Sequence, residues 1–472
     1  MHFGANGSDV PSSFAMLYAR HPMAIRIGLL GCGTVGGGVV RLLTENAKNV
    51  AGRVGAPVEL ARVLVRNPAK ERVRELDASL MTTDAEAVLA DPSIDIFVEV
   101  MGGLEPAGAY VERALRSGRS VVTANKMLLA ERGPKLLAAA QESGVDLAFE
   151  GAVGGGIPIV RTLREALAGD RVVALAGIVN GTCNYILTRM RRANLSFEAA
   201  LKEAQDLGYA EADPELDVGG HDAGHKLMVL AMLAFGLQPV QGGGDLYVEG
   251  IRDLEPFDHE AADRFGYTIK HLAIARARAE GLELRVHPTL VPRDSTIANV
   301  GGVLNAISLE GEALGPLLLS GRGAGDLPTA VSVVADVVDV ARARVGGAKG
   351  LSTRSVELAP RKTLSIEDAE CAFYLRFSVL DRPGVLARIT GALGEGEVSI
   401  GQMVQFGGGD ARGAAVDVVM LTHVAREGAV RRALKSVAVA DFVARPPKAI
   451  RVLDRRAEAR GRVSAAPPPS RV

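Results

Sequence analysis

A lysine does chemistry only where it is kept from bulk water, and the spacing around Lys226 suggests that it is. It ends the run GYAEADPELDVGGHDAGHK (208–226), a loop broken by Gly and Pro, dense in Asp and Glu, that feeds a helix. Asp222 and Lys226 are spaced i, i+4, so they share one helix face and can hold each other in position. The residues that follow, LMVLAMLAFG, are almost wholly apolar and must be buried, which drags the Lys226 ammonium inward. Paired with Asp222 at a cleft, it is a candidate for chemistry rather than solvation. The plainer alternatives are an ordinary helix ion pair and acids that complement the helix dipole. A second lysine closes Thr123-Ala-Asn-Lys126, at the C-terminal end of a predicted strand. Ligands of open α/β sheets bind beyond such ends, so Lys126 is expected to face a cleft, although a lone lysine is ordinarily a solvated charge.

Upstream, Gly31-Cys-Gly33-Thr34-Val35-Gly36 fits GxGxxG, directly after a predicted strand and before a helix. Glycines permit the tight turn and close backbone approach, and the helix N-terminus offers unpaired amides to a pyrophosphate. The segment therefore reads as a dinucleotide site. The second strand ends in Arg66-Asn67 where an NAD enzyme usually places Asp or Glu for the ribose diol. A guanidinium there suits the 2′-phosphate of NADP, with a solvated strand-end residue as the alternative.

These side chains need a frame. AIRIGLL (24–30), VELARVLV (58–65), IDIFVEV (94–100), SVVTA (120–124) and VDLAFE (145–150) alternate with amphipathic helical stretches, which predicts an α/β, Rossmann-type doubly wound parallel sheet over 23–150. From 151 to 349 long helical segments broken by strand-like VVALAGIV and LRVHPTLV predict an α+β catalytic and dimerisation domain, with a helix over 321–345 completing the cofactor domain. Between the two, EGAVGGGIPIV (150–160) suggests a tight crossover with exposed carbonyls, or a plain hinge. After a linker at 350–370, residues 371–454 follow the order βαββαβ of a small ferredoxin-like module. Residues 1–22 read as a flexible extension and 455–472, rich in Arg, Ala and Pro, as a disordered tail.

Composition narrows the class. With 54 basic and 55 acidic side chains the net charge is -1, which offers no broad attraction for nucleic acid or anionic lipid. Three cysteines far apart build neither a disulfide framework nor a CxxC metal site, and no apolar run approaches a membrane span. A soluble protein of the reducing cytoplasm is expected.

The order GxGTVG, TANK, NGTCNYIL (180–187), the acidic run ending in Lys226 and GRGAGDLPTA (321–330) resembles the homoserine dehydrogenase family over residues 24–349. The resemblance implies NAD(P)-dependent interconversion of L-homoserine and L-aspartate 4-semialdehyde, in threonine, methionine and isoleucine biosynthesis. It implies that Lys226 and Lys126 act at the reacting oxygen while Asp222 orients Lys226. Glu211 and Asp217 would hold the amino end of the substrate, with Gly181, Thr182 and Tyr209 around it. Gly102, Thr123 and Gly325 would join Lys126 against the cofactor. Glu150, Val153, Gly155 and Ile157 match a loop that binds a monovalent cation such as sodium, mostly through carbonyls; Gly155 stands where a larger small residue is often found. In chemical terms, hydride leaves the carbon bearing the hydroxyl while a base accepts the hydroxyl proton, and two ammonium groups beside one oxygen favour release of a proton from one of them.

Asp381-Arg-Pro-Gly384-Val385-Leu386 resembles the ligand-binding turn of ACT domains. That likeness implies an amino-acid effector, threonine first, bound where two modules pair, and hence a homodimer or homotetramer; a dimerisation module without ligand is the alternative. With only residues 1–22 ahead of Met23, a monofunctional enzyme without a fused aspartokinase is expected. Another NADP-dependent amino-acid dehydrogenase on the same scaffold, and a non-enzymatic NADP sensor, are the rivals. Glu211 and Asp217 speak against the first, and the presence of both lysines against the second.

Overall fold

The computed structural model describes residues 24–239, 246–351, 357–407 and 414–453; the expected N-terminal extension (1–22) and C-terminal tail (455–472) lie outside the described residues. Strands β1 (Ile25–Leu30), β2 (Val58–Leu64), β3 (Met81–Thr82), β4 (Ile96–Glu99), β5 (Ser120–Thr123) and β6 (Leu147–Ala148) form one parallel sheet in the order β3-β2-β1-β4-β5-β6. The five predicted strands are all present, and β3 adds an edge. Their runs are apolar almost throughout because both faces are covered. Leu30, Phe97 and Val121 pack under the helices Ala107–Arg116 and Lys126–Glu142. Ile27, Leu29, Val98 and Val122 pack under Thr34–Glu45 and under Asp326–Val345, a helix supplied from far along the chain. At Gly38 that contact requires glycine, since a Cβ would stand 2.9 Å from the Asp326 carbonyl oxygen.

The second sheet is built from β7 (Val172–Ile178), β8 (Tyr247–Val248), β9 (Tyr267–Ala277), β10 (Leu282–Pro292), β11 (Leu304–Gly311) and β12 (Gly315–Arg322), in the order β12-β11-β7-β9-β10 with β8 parallel to β10. The strand-like segments of the sequence are β7 and β10; β9, β11 and β12 are additions. Helices Gly181–Ala193, Phe197–Asp206, His221–Phe235 and Pro256–Arg264 belong to the same unit. Among the described residues no helix is long and apolar enough to cross a membrane.

The C-terminal module contains β13 (Glu370–Cys371), β14 (Phe373–Leu380), helix Val385–Glu395, β15 (Ile400–Phe406), β16 (Ala415–Thr422), β17 (Ala425–Arg426), helix Glu427–Ala438 and β18 (Val443–Val452). Its main sheet runs β18-β14-β16-β15, built by the βαββαβ chain order read from the sequence for a ferredoxin-like module. The module is not a separate bead. β18 pairs parallel with β10 (Thr289 with Arg451, Leu290 with Val452), so the second and third sheets are one sheet of ten strands. Tyr374, Val419, Leu421 and Ile450 share a core with Ile186, Phe197, Ile251 and Ala261 of the preceding unit. The described part of the predicted linker is strapped down as well: Ala359 bridges to Leu237 and Thr363 to Leu282.

Candidate active site

At the C-terminal edge of the parallel sheet, Gly31 adopts φ +99° and its N–H donates to the Leu64 carbonyl at 3.0 Å. Gly36 lies so close to that turn that a Cβ would be 2.3 Å from the Gly31 oxygen. Gly33 caps the helix that carries Thr34, Val35 and Gly36, and a Cβ built on it would meet nothing within 4 Å. The helix N-terminus, with its unpaired amides, therefore opens onto space a pyrophosphate can enter. Arg66 is exposed just beyond β2, at the same edge. Gly325, at φ +119°, begins the helix that packs on the glycine-rich one.

Glu99, fully buried at the end of β4, ties this edge together. One carboxylate oxygen accepts from the N–H groups of Met101 (2.8 Å) and Gly102 (3.2 Å), the other from the Thr123 hydroxyl at 2.6 Å. Thr123 Oγ1 in turn accepts from Asn125 N (3.0 Å), and Asn125 caps the helix that Lys126 begins. Burial raises the carboxyl pKa of Glu99, against which these donors pull.

Lys126 and Lys226 meet on one carboxylate. Lys226 Nζ donates to Asp222 Oδ2 at 2.6 Å and to the Val179 carbonyl at 2.8 Å, while Lys126 Nζ is 3.1 Å from Asp222 Oδ1. The Lys226 and Asp222 side chains are about nine-tenths buried, and that of Lys126 is 38% exposed. Burial pushes the Asp222 carboxyl up, but the two ammonium groups and an Asn180 hydrogen bond outweigh it and hold the group well below the usual carboxylate range. Asn180 Nδ2 bridges Asp222 Oδ2 (2.9 Å) and Asp217 Oδ1 (2.7 Å), and its Oδ1 caps the helix Gly181–Ala193 at Cys183 N. Burial raises the carboxyl pKa of Asp217, with the Asn180 hydrogen bond pulling the other way.

Of the remaining expected residues, Thr182 donates its hydroxyl to the Tyr209 carbonyl at 2.8 Å, which brings Gly181, Thr182 and Tyr209 to one place. Glu211 follows on the same loop with its side chain exposed. Loop residues Glu150, Val153 and Ile157 are buried, and Gly154 and Gly155 take positive φ. Gly155 presses so near Gly323 that a Cβ would be 2.6 Å from its backbone. In the C-terminal module Gly384, at φ +84°, turns the chain from β14 into the helix, with Val385 buried and Asp381 and Leu386 exposed.

Sequence reasoning did not single out Glu99, Asn125 or Asn180. Each carries a signal in retrospect: an acid directly after the buried run IFV, and an Asn immediately ahead of a helix, three residues before the amide it caps.

A dinucleotide crevice whose floor ends on paired ammonium groups is that of a nicotinamide-dependent oxidoreductase. Family models described as homoserine dehydrogenase, as its NAD binding domain and as ACT domain match residues 158–338, 31–150 and 373–439. The chain is 43% identical over 432 residues to a homoserine dehydrogenase of Pseudomonas aeruginosa, covering 91% of this chain and 98% of that one. It is 41% identical over 402 residues to one of Bacillus subtilis, at 85% and 92% coverage. A solved homoserine dehydrogenase from Thiobacillus denitrificans superposes with a TM-score of 0.85 at 45% identity, covering 91% and 98%; one from S. aureus gives 0.72 at 30%, covering 92% and 100%. This chain belongs to the homoserine dehydrogenase family, in the form that carries a C-terminal ACT domain.

Proposed function

We propose that the protein interconverts L-homoserine and L-aspartate 4-semialdehyde with NADP as its preferred cofactor, in the cytoplasm and on the route to threonine, methionine and isoleucine. The observation that carries this is the Asp222 carboxylate shared by Lys126 and Lys226 at the mouth of the crevice. The nicotinamide, when bound, accepts hydride from the carbon bearing the hydroxyl. An ammonium has three donors, and Lys226 spends two of them on Val179 and Asp222, leaving one direction for the substrate oxygen. As an amine Lys226 takes the hydroxyl proton; as an ammonium it returns the proton in the reverse reaction. Lys126 stabilises negative charge on that oxygen. Two cations and one carboxylate sum to +1, so an alkoxide beside them completes neutrality in a partly desolvated place. Asp217 and Glu211, flanked by Gly181, Thr182 and Tyr209, hold the substrate amino group.

Gly31, Gly33, Thr34, Val35, Gly36, Gly102, Thr123 and Gly325 line the cofactor, and the exposed Arg66 takes the 2′-phosphate. A solved hyperthermophilic archaeal homoserine dehydrogenase in complex with NADPH resembles the chain at 25% identity, TM-score 0.58, over 67% of this chain, which supports the NADP reading. A monovalent cation fits the loop of Glu150, Val153, Gly155 and Ile157. The Gly155 and Ile157 carbonyls each accept one hydrogen bond, from Ser332 Oγ and Ile159 N, and keep a second lone pair. The carboxyls of Glu150 and Asp336 are both raised by burial, Asp336 to about 8, so positive charge nearby is stabilising. On the same reading the domains divide at 23–150, 151–349 and 371–454, and ACT turns of two chains in a homodimer or homotetramer bind threonine at Asp381, Gly384, Val385 and Leu386.

Spectrophotometric cofactor reduction with homoserine, comparing NADP with NAD and with and without threonine, tests this. Turnover with homoserine, higher kcat/KM for NADP and inhibition by threonine are expected. Turnover of a different amino acid with none of homoserine sinks the substrate; indifference to threonine sinks the effector.

A further inference from the structure

The ten-stranded sheet brings the ACT module within a few bonded contacts of the substrate end of the site, through the segment 247–251. Arg451, on β18 and 4% exposed, is held by one acid from each side of the junction. Its guanidinium donates to Glu427 of the module (Nε to Oε2, 2.7 Å; Nη2 to Oε1, 2.5 Å) and to Glu249 Oε2 at 2.8 Å. Tyr247 reinforces the second contact: its hydroxyl donates to Glu249 Oε2 at 2.7 Å, and the Arg451 guanidinium lies 4.8 Å from its ring centroid. The Glu249 backbone is fixed at both ends, N–H to the Val286 carbonyl (2.8 Å) and carbonyl against His271 Nε2 (3.0 Å).

The next two residues press on the loop that carries Asp217. Gly250 is so near Val218 that a Cβ would be 2.3 Å from the Val218 carbonyl oxygen, and Ile251 N donates to that same oxygen at 2.9 Å. The Asp217 carbonyl, one residue earlier, accepts from Cys183 Sγ (3.1 Å) and from Gly220 N (3.0 Å). Gly220, at φ +89°, starts the helix of Asp222 and Lys226, and a Cβ on it would stand 3.0 Å from Val248 Cγ1. Segment 247–251 thus touches the loop at Val218 and Gly220, directly after Asp217, while its other side is anchored on β10 and on Arg451. No slack separates them, because packed interiors transmit displacement rather than absorb it.

We propose that Glu249 is a positioning residue for the substrate end of the site, and that its pairing with Arg451 is the contact through which the C-terminal module acts on substrate affinity. The proposal rests on the reading of Asp217 as a substrate residue. It assigns the module's influence to homoserine binding and leaves the glycine-rich cofactor edge, which makes none of these contacts, unaffected.

Steady-state kinetics of Glu249→Gln in the full chain test it; the side chain is 36% exposed and the change isosteric, so folding should survive, as thermal melting would verify. The KM for homoserine is expected to rise at least about fivefold, the low end of ordinary coupling between sites, with the KM for NADP unchanged. Glu249→Asp should recover part of the loss. Arg451→Lys should produce the same selective rise, and the double variant should add little to either, as for two ends of one contact. An unchanged homoserine KM in Glu249→Gln, alongside a clear rise in Asp217→Asn, overturns the proposal while sparing the substrate reading. No change in Asp217→Asn overturns both, and equal effects on the homoserine and NADP constants reduce Glu249 to a residue of general stability.

Discussion

Asp222 and Asp258 each join two cations, and only Asp222 stands at the proposed reaction centre. Asp222 meets Lys126 and Lys226 at the crevice mouth, where Lys126 is 38% exposed. Asp258, fully buried at the junction with the C-terminal module, meets Arg376 at 3.2 Å and Lys448 at 2.9 Å. The Tyr374 hydroxyl (3.2 Å) and Glu255 N (3.0 Å) take up the rest of its acceptor capacity. Arg376, 4% exposed, is further spent on Glu255 at 3.0 and 2.7 Å. The charges are alike, but the junction holds Arg376 on Glu255 and Asp258, and Lys448 on Asp258 and the Asp253 carbonyl, closing one part of the chain on another, whereas at the crevice Lys126 stays open enough to meet a guest. An ion cluster becomes chemistry when a cation keeps an unspent hydrogen bond facing solvent.

Substitutions at the two clusters should therefore fail in different ways. The largest effect is expected for Lys226→Met, which should lower kcat by about 10³-fold, in the range of lost proton-transfer groups, with the melting temperature little changed; a loss of folding instead would make the crevice cluster as structural as the other. Asp258→Asn should do the reverse: a destabilisation of about 3–5 kcal/mol from leaving buried cations unpaired, read from the denaturant midpoint, with kcat of the folded enzyme nearly kept. The smallest effect sharpens the junction further. Burial lowers the pKa of His259, on the same helix as Asp258, from 6.5 to about 4, although Asp258 pulls upward. Between those values the unfolded chain binds a proton that the folded chain refuses, so stability is held above pH 6.5 and lost as the pH falls toward 4. The slope should approach roughly 1 kcal/mol per pH unit, and His259→Gln should flatten it in unfolding titrations across that window.

The parallel sheet was legible because strands covered on both faces read as unbroken apolar runs, and Lys226 because an apolar helix had to carry it inside. β9 was hidden by the same logic reversed: its YTIKHLAIARA holds Lys270 and His271, both buried, so a polar run lay where burial was least expected. Asn180 and Glu99 went unnoticed because they touch neither ligand directly in the sequence pattern; their importance lies in which amides and carboxylates they hold together, which only three dimensions display. The pairing of β10 with β18 joins segments far apart in the chain, and no local periodicity records a partner at that range.

That pairing bears on how such an enzyme is engineered. Deleting the C-terminal module would strip β10 of its β18 neighbour, expose a strand edge ready to recruit another chain, and strand Glu249, Glu255 and Asp258 without their counter-ions. Single replacements within the module, made to probe the proposed threonine response, keep that edge covered and the buried acids paired.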